Sequence, residues 1–343
     1  MNVVNLPRMS WDTRILSHAE LSAFEQTTRS MDWPAQVRAL IRHQLAHWPL
    51  LAEGVESLSQ VSVKKLWLSD YCVLAQFNPK RLASASAAVD TVSVQQRPCF
   101  LCDTNLPAEE KGLAYGDDLV ILCNPFPIVS HHLSIVHRCH IEQTIIGEFE
   151  RVLELAKDLS PDWFILYNGP QCGASAPDHF HVQAGARQGL PLERHVTQLR
   201  MRSVSHADEV HVVTPEQYHL NLLIAQGANG QALARWFYQA IHLLTELTAS
   251  PAEPLINLIV TFDQPSWNVY LFPRAKHRPA CYFAEGDDKL LVSPGAIDLA
   301  GYVVVPIEAH FRKIDAPTVK QIFSEVTLSS NVFTQLVERL RSL

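Results

Sequence analysis

Residues 168–183 read Asn168-Gly-Pro-Gln-Cys-Gly-Ala-Ser-Ala-Pro-Asp-His-Phe-His-Val-Gln183, a glycine-bearing loop running into an alternating strand. Side chains alternate faces along a strand, so His179, His181 and Gln183 share one surface while Phe180 and Val182 anchor the other in a core. The loop ahead of them, with Gly169, Gly173 and Ser175, can turn backbone N–H groups and a hydroxyl toward an anion, as phosphate cradles do. Histidine's ordinary pKa of about 6.5 leaves a free imidazole nitrogen near neutral pH, able to attack phosphorus and form a phosphoramidate. An amide such as Gln183 can hold a non-bridging phosphate oxygen; a third histidine there could act as a general acid, which glutamine cannot. Two histidines at this spacing can also be structural, or both bind a metal. The loop before them and the glutamine after them favour phosphate handling.

Upstream lies Arg97-Pro98-Cys99-Phe100-Leu101-Cys102-Asp103. A CxxC pair brings two thiolates to one tetrahedral ion, but zinc needs two further ligands and no second CxxC follows. Histidines must supply them: His131, His132, His137 and His140 follow, and His179 is the candidate from the strand segment. A chance pair or a redox dithiol is the alternative. Cys72, Cys123, Cys139, Cys172 and Cys281 have no ligand-like spacing, and an odd total of seven cysteines fits a reducing compartment. Downstream, Phe272-Pro273-Arg274-Ala275-Lys276-His277-Arg278-Pro279 gathers cationic side chains that could bind phosphates or form a solvated basic turn.

The rest of the chain supplies a large core. Of 343 residues 47% are hydrophobic and 18% charged, which excludes disorder. The balance of 28 basic against 35 acidic residues, a formal charge of -7, argues against a nucleic-acid partner. The apolar runs at 254–262 and 300–307 are far shorter than the roughly 20 residues of a membrane helix, and the amino terminus lacks a secretory pattern, so a cytoplasmic protein is expected. A helical region is predicted from Ser17, where Ser17-x-x-Glu20 forms a capping pattern, to Trp48, split at Pro34. Strands are predicted at 61–68, 71–77, 119–123, 133–136 and 163–167, with a helix over 141–159. A polar stretch at 187–208 puts the boundary between a first lobe, 1–205, and a second, 206–343, near residue 205. Beyond it the pattern predicts strands at 209–213, 220–225, 255–261 and 267–272, a helix at 231–247 and a closing helix from about Pro317. Strand–loop–strand units in both halves suggest a duplication.

The segment GASAPDHFHVQ resembles the histidine-triad superfamily branch containing galactose-1-phosphate uridylyltransferase, diadenosine tetraphosphate phosphorylase and the GDP-hexose phosphorylases, in which His-x-His-x-Gln replaces His-x-His-x-His. The likeness extends to RPCFLC, NPFPIVSHHLSIVHRCH, WNVYLFPRAKHRP and SPGAIDLAGYVVVP, most of residues 70–310. It implies an α+β fold of two histidine-triad-like lobes on antiparallel sheets flanked by helices, the second lobe lacking the histidines and helping to bind substrate. It implies His181 as the nucleophile forming a nucleotidyl intermediate and Gln183 as the phosphate holder, with Asn168 and Ser175 positioning either. It also implies a structural zinc held by Cys99, Cys102, His140 and His179. Asp178 lengthens the segment by one residue relative to the uridylyltransferase pattern, so the family's phosphate-loop contacts do not carry over.

The expected activity is nucleotidyl transfer or phosphorolysis on an NDP-sugar or dinucleoside polyphosphate, with phosphate or a sugar phosphate as acceptor. The expected substrate contacts are Gly173, Arg274, Lys276, Asn78, Arg81 and Asn124. A histidine-triad hydrolase and a non-catalytic zinc-stabilised nucleotide-binding protein are the alternatives.

Overall fold

The alternating segments assemble into one antiparallel sheet of ten strands, with a second sheet of three laid over part of it. The structure is a computed structural model that describes residues 11–25, 32–187 and 190–342. Its strands are β1 (Ser62–Leu68), β2 (Tyr71–Phe77), β3 (Gly112–Tyr115), β4 (Leu119–Cys123), β5 (Leu133–His137), β6 (Trp163–Asn168) and β7 (His181–Ala186) in the first half. The second half supplies β8 (Met201–Ala207), β9 (Val210–Pro215), β10 (Leu223–Gly227), β11 (Ile256–Asp263), β12 (Ser266–Pro273) and β13 (Tyr302–Val305).

The large sheet runs β3-β4-β5-β7-β6-β11-β12-β10-β9-β8. Read outward from the central β6–β11 pair, the two sides have the same order. Each has three strands, a helix (Phe149–Asp158 or Gly230–Thr248), then two strands, the first of them at the centre. The duplication suggested by the hairpins is therefore present in the topology of the whole half. The two helices meet through Phe149 stacked on Phe237, centroids 3.8 Å apart.

Alternation decides what each face meets. Ile121, Ile135, Val182, Ile165, Leu258 and Leu271 point to the face covered by helices Trp33–His47, Phe149–Asp158, Gly230–Thr248 and Ser330–Arg341. On the opposite face, Phe164, Leu166, Ile259, Tyr270 and Phe272 pack under the β1-β2-β13 sheet and helix Ala316–Val326. Val120, Leu122 and Val136 pack under Trp11, Leu101 and Leu106. Between these two apolar clusters His181 and Gln183 project from the non-helical face of β7 into a chamber rather than a packed core.

Differences from the sequence reading have local causes. The predicted helix at 141–159 begins only at Phe149, because Gly147 adopts φ +88° and the preceding residues bond across to other segments. Pro34 starts a helix behind the Asp32 cap, and the expected segment before it at 26–31 lies outside the described residues. β3 and β8 were not read: both are edge strands, and β8 carries a bulge at Ser203/Ser205 that interrupts its alternation. Residue 205 thus falls within β8, and the topological repeat divides between β7 and β8.

Candidate active site

β7 begins at His181, and its backbone is held by one buried amide. Gln143 accepts the His181 N–H through Oε1 (2.8 Å) and donates through Nε2 to the carbonyls of His181 and Asn168, both at 3.0 Å. The neighbouring ends of β6 and β7 are thereby fixed by a side chain the sequence reading missed; a lone glutamine carries no spacing signal. His181 Nδ1 donates to the His179 carbonyl at 2.9 Å, which leaves Nε2 as the unprotonated nitrogen. Burial lowers the His181 pKa below histidine's usual value, more than the His179 carbonyl raises it, so the neutral ring is favoured.

The His181 ring borders a chamber of about 490 Å³ lined by Trp48, Phe100, Leu106, Leu122 and Phe126, with Arg97, Asn124, Glu110 and Gln183 as polar groups. Beside it is a polar chamber of about 60 Å³, lined by Asn168, Gly173, His277, Arg278, Ser293 and Asp298. Arg81, Ser84, Ser175 and Gln183 border both. Gly173 adopts φ +100°, and a Cβ there would lie 2.9 Å from the Gly295 Cα, so the loop before β7 closes on the 293–298 loop only through glycine. Asn168 Oδ1 accepts from the Ala296 N–H (2.8 Å) and from Asn257 Nδ2 (2.7 Å), tying the same loop and β11 to the end of β6.

Four expected ligand residues converge separately. The ligand atoms of Cys99, Cys102, His140 and His179 all lie within 4.8 Å of one another. Cys99 Sγ and Cys102 Sγ stand 3.3 and 3.6 Å from His179 Nδ1, near the ~3.6 Å edge of a tetrahedral zinc site with one sulfur and one nitrogen ligand. The outer contacts suit metal binding too: His179 Nε2 donates to the His137 carbonyl (2.7 Å), freeing Nδ1, and His140 Nε2 lies 3.3 Å from Asp178 Oδ2. The donor set fits a metal ion and does not include His181.

Three substrate assignments are corrected. Arg274, 1% exposed, directs its five N–H donors to the carbonyls of Val326, Pro294, Lys276 and His277 and to Asn257 Oδ1, so none remains for a ligand. Lys276 pairs with Glu325 at 3.1 Å and borders neither chamber. Asn78 is buried and donates to Gln76 and the Pro127 carbonyl. The basic segment does reach the site, through its neighbours His277 and Arg278. Arg278 rests on the Tyr282 ring and donates to Ser293 and the Ala87 carbonyl. Arg81 donates to the Phe126 carbonyl; burial lowers its pKa to about 10, which leaves it charged at neutral pH. Asn124 borders the large chamber while accepting the Phe126 N–H and donating to Ser134.

Sequence reading also missed Glu110. The residue lines the large chamber and is 7% exposed. Burial raises its pKa to about 8 against the opposing pull of Arg14.

Residues 191–342 match the domain described as GDPGP1-like, C-terminal, and residues 40–186 match a domain of unknown function, DUF4922. A search of the curated proteins found no match. Yeast Ap4A phosphorylase Apa2 shares the fold at TM-score 0.59 and 14% identity over 87% of this chain and 99% of that one. Its complex with Ap4A superposes at TM-score 0.59 and 13% identity over 84% and 97%. The fold is thus one shared with yeast Ap4A phosphorylase, and the carboxyl-terminal half matches a GDPGP1-like domain. Among the described residues no helix is long and apolar enough to cross a membrane.

Proposed function

We propose that this chain is a phosphorylase-type nucleotidyltransferase acting on an NDP-sugar or dinucleoside polyphosphate through a nucleotidyl intermediate on His181. One observation carries the reading: His181 Nδ1 is engaged by a backbone carbonyl, so the free Nε2 lone pair belongs to a ring that borders a nucleoside-sized chamber and lies outside the metal set. Nε2 attacks the α-phosphorus, a P–N bond forms, and the P–O bond to the phosphorylated leaving fragment breaks with its electron pair. The Nδ1 proton stays on the ring, donated to the His179 carbonyl, which stabilises the positive charge the ring acquires. In the second half-reaction an acceptor phosphate oxygen attacks the same phosphorus, the P–N bond breaks, and neutral His181 returns.

The two chambers divide these tasks. The large, apolar one takes the nucleoside, with Glu110 at the base. The small one, about 60 Å³ or two waters' share of liquid volume, takes a compact oxyanion beside Arg81, Arg278, Ser175 and Asn168. The amino-terminal half, to the end of β7, supplies nucleophile and metal ligands; the second half closes the oxyanion side. Cys99, Cys102, His140 and His179 would hold a structural Zn²⁺ with a closed four-ligand set, which would tie the Cys99–Cys102 loop to the start of β7.

The test is a single-turnover incubation with α-phosphate-labelled GDP-sugar or diadenosine tetraphosphate, followed by a quench. Acid-labile label on the wild type that disappears in His181→Ala is expected. Label persisting in that variant, or turnover without label, refutes the assigned nucleophile. Turnover that requires added phosphate separates phosphorolysis from hydrolysis.

A further inference from the structure

We infer that His132 is a positioning residue that fixes which end of the Gln183 amide meets the transferred phosphate. The inference rests on the reading above that Gln183 holds that phosphate. His132 precedes β5, is 4% exposed, and is hydrogen-bonded to Gln183, which borders both chambers.

The argument runs through proton positions. The backbone N–H of Ile128 can only donate, and it points at His132 Nδ1 at 3.3 Å. Nδ1 therefore accepts and carries no proton. A neutral imidazole then has its proton on Nε2, which faces Gln183 Oε1 at 2.9 Å and donates to it. With its oxygen engaged from below, Gln183 presents its NH₂ group to the chambers, and that nitrogen has no protein acceptor among the described residues. The opposite orientation would aim the amide oxygen at a phosphate oxygen, replacing an attraction by a repulsion where negative charge accumulates.

Burial, reinforced by the nearby Arg81 charge, lowers the His132 pKa to about 3, so the ring stays neutral and the relay does not reverse across the physiological range. Register supports the same pairing: Gln183 lies opposite Ser134 in the β5–β7 ladder, two residues from His132, within reach of a long side chain on the same face. His132 touches neither metal ligand nor nucleophile in this arrangement and acts only through Gln183.

The experiment is a double-mutant cycle read by single-turnover formation of the labelled His181 adduct. His132→Leu is expected to slow the chemical step about tenfold with little change in the half-saturating substrate concentration. His132→Gln, which keeps an N–H donor, is expected to recover much of the rate. In the Gln183→Ala background His132→Leu should add less than about twofold, because the group it orients is gone. Independent, multiplying losses overturn the inference. Nitrogen-15 NMR of the wild-type ring provides a readout that does not depend on turnover. A proton on Nε2 is expected, and one on Nδ1 overturns the assignment. Wild-type adduct formation in Gln183→Ala would instead overturn the phosphate-holding reading, and this inference with it, while the NMR result would still report the tautomer.

Discussion

Arg274 and Arg278 are four residues apart, yet one is buried among carbonyls and the other lines the small chamber, so substituting each should separate stability from activity. Arg274→Met keeps most of the side-chain volume and removes all five donors, stranding four backbone carbonyls and Asn257 Oδ1 in the interior. A hydrogen bond to a charged donor contributes about 1.5–3 kcal/mol, but five do not add, because the guanidinium's own burial is unfavourable and is relieved by the change. The net loss expected for breaking such a buried network is about 3–5 kcal/mol. At an unfolding entropy of about 2 cal/mol/K per residue, a chain of this length should then melt about 4–7 °C lower. The assay is a thermal melt alongside adduct formation per folded molecule at a temperature where the variant is folded. The lower melting temperature should come with a rate within a few-fold of wild type, since Arg274 reaches the site only indirectly, through the Pro294 and His277 carbonyls and Asn257. An unchanged melting temperature with a hundredfold loss of rate would refute the reasoning and return Arg274 to the phosphate site.

Arg278→Ala should do the converse, leaving the melting temperature within about 2 °C while raising the phosphate concentration needed for half-maximal turnover at least tenfold; an unchanged phosphate dependence would sink its oxyanion role. Glu110 makes base choice depend on pH: an ionised carboxylate matches guanine's N1–H and N2–H donors, whereas the neutral acid matches adenine's N6–H donor and N1 acceptor. Burial raises its pKa to about 8, so affinity for GMP should rise up to tenfold per pH unit below that value and that for AMP should fall above it. Both trends, measured by calorimetry, should vanish in Glu110→Gln, and parallel slopes for the two nucleotides would count against base reading there. Burial lowers the His181 pKa, so the neutral nucleophile predominates at pH 6.5 and above, and the midpoint of the acid-side decline in adduct formation should lie below that value. A midpoint near pH 7.5 would contradict this. Metal analysis should find one equivalent of zinc in the wild type and little in Cys99→Ser, with a melting temperature lowered by at least 5 °C; a folded, metal-free wild type would eliminate the metal site.

The order of residues 168–183 alone put His181 and Gln183 on one face, because strand alternation is a local property of the backbone; His179, just ahead of β7, turns instead to the sulfurs. The Cys99–Cys102 spacing likewise announced a two-sulfur ligand set, and hydrophobic periodicity located most strands. Which histidines complete that set was not local: His140 and His179 reach the sulfurs only because β5 and β7 are paired neighbours. The basic segment at 272–279 shows the limit most sharply. Composition marks it as cationic, but only the packing of β12 against the 293–298 loop turns Arg274 inward to carbonyls and leaves Arg278 at the chamber. Glu110, Gln143 and His132 have no motif at all. Their roles come from burial and from which donor faces which acceptor across the sheet, quantities that exist only once distant segments are in contact.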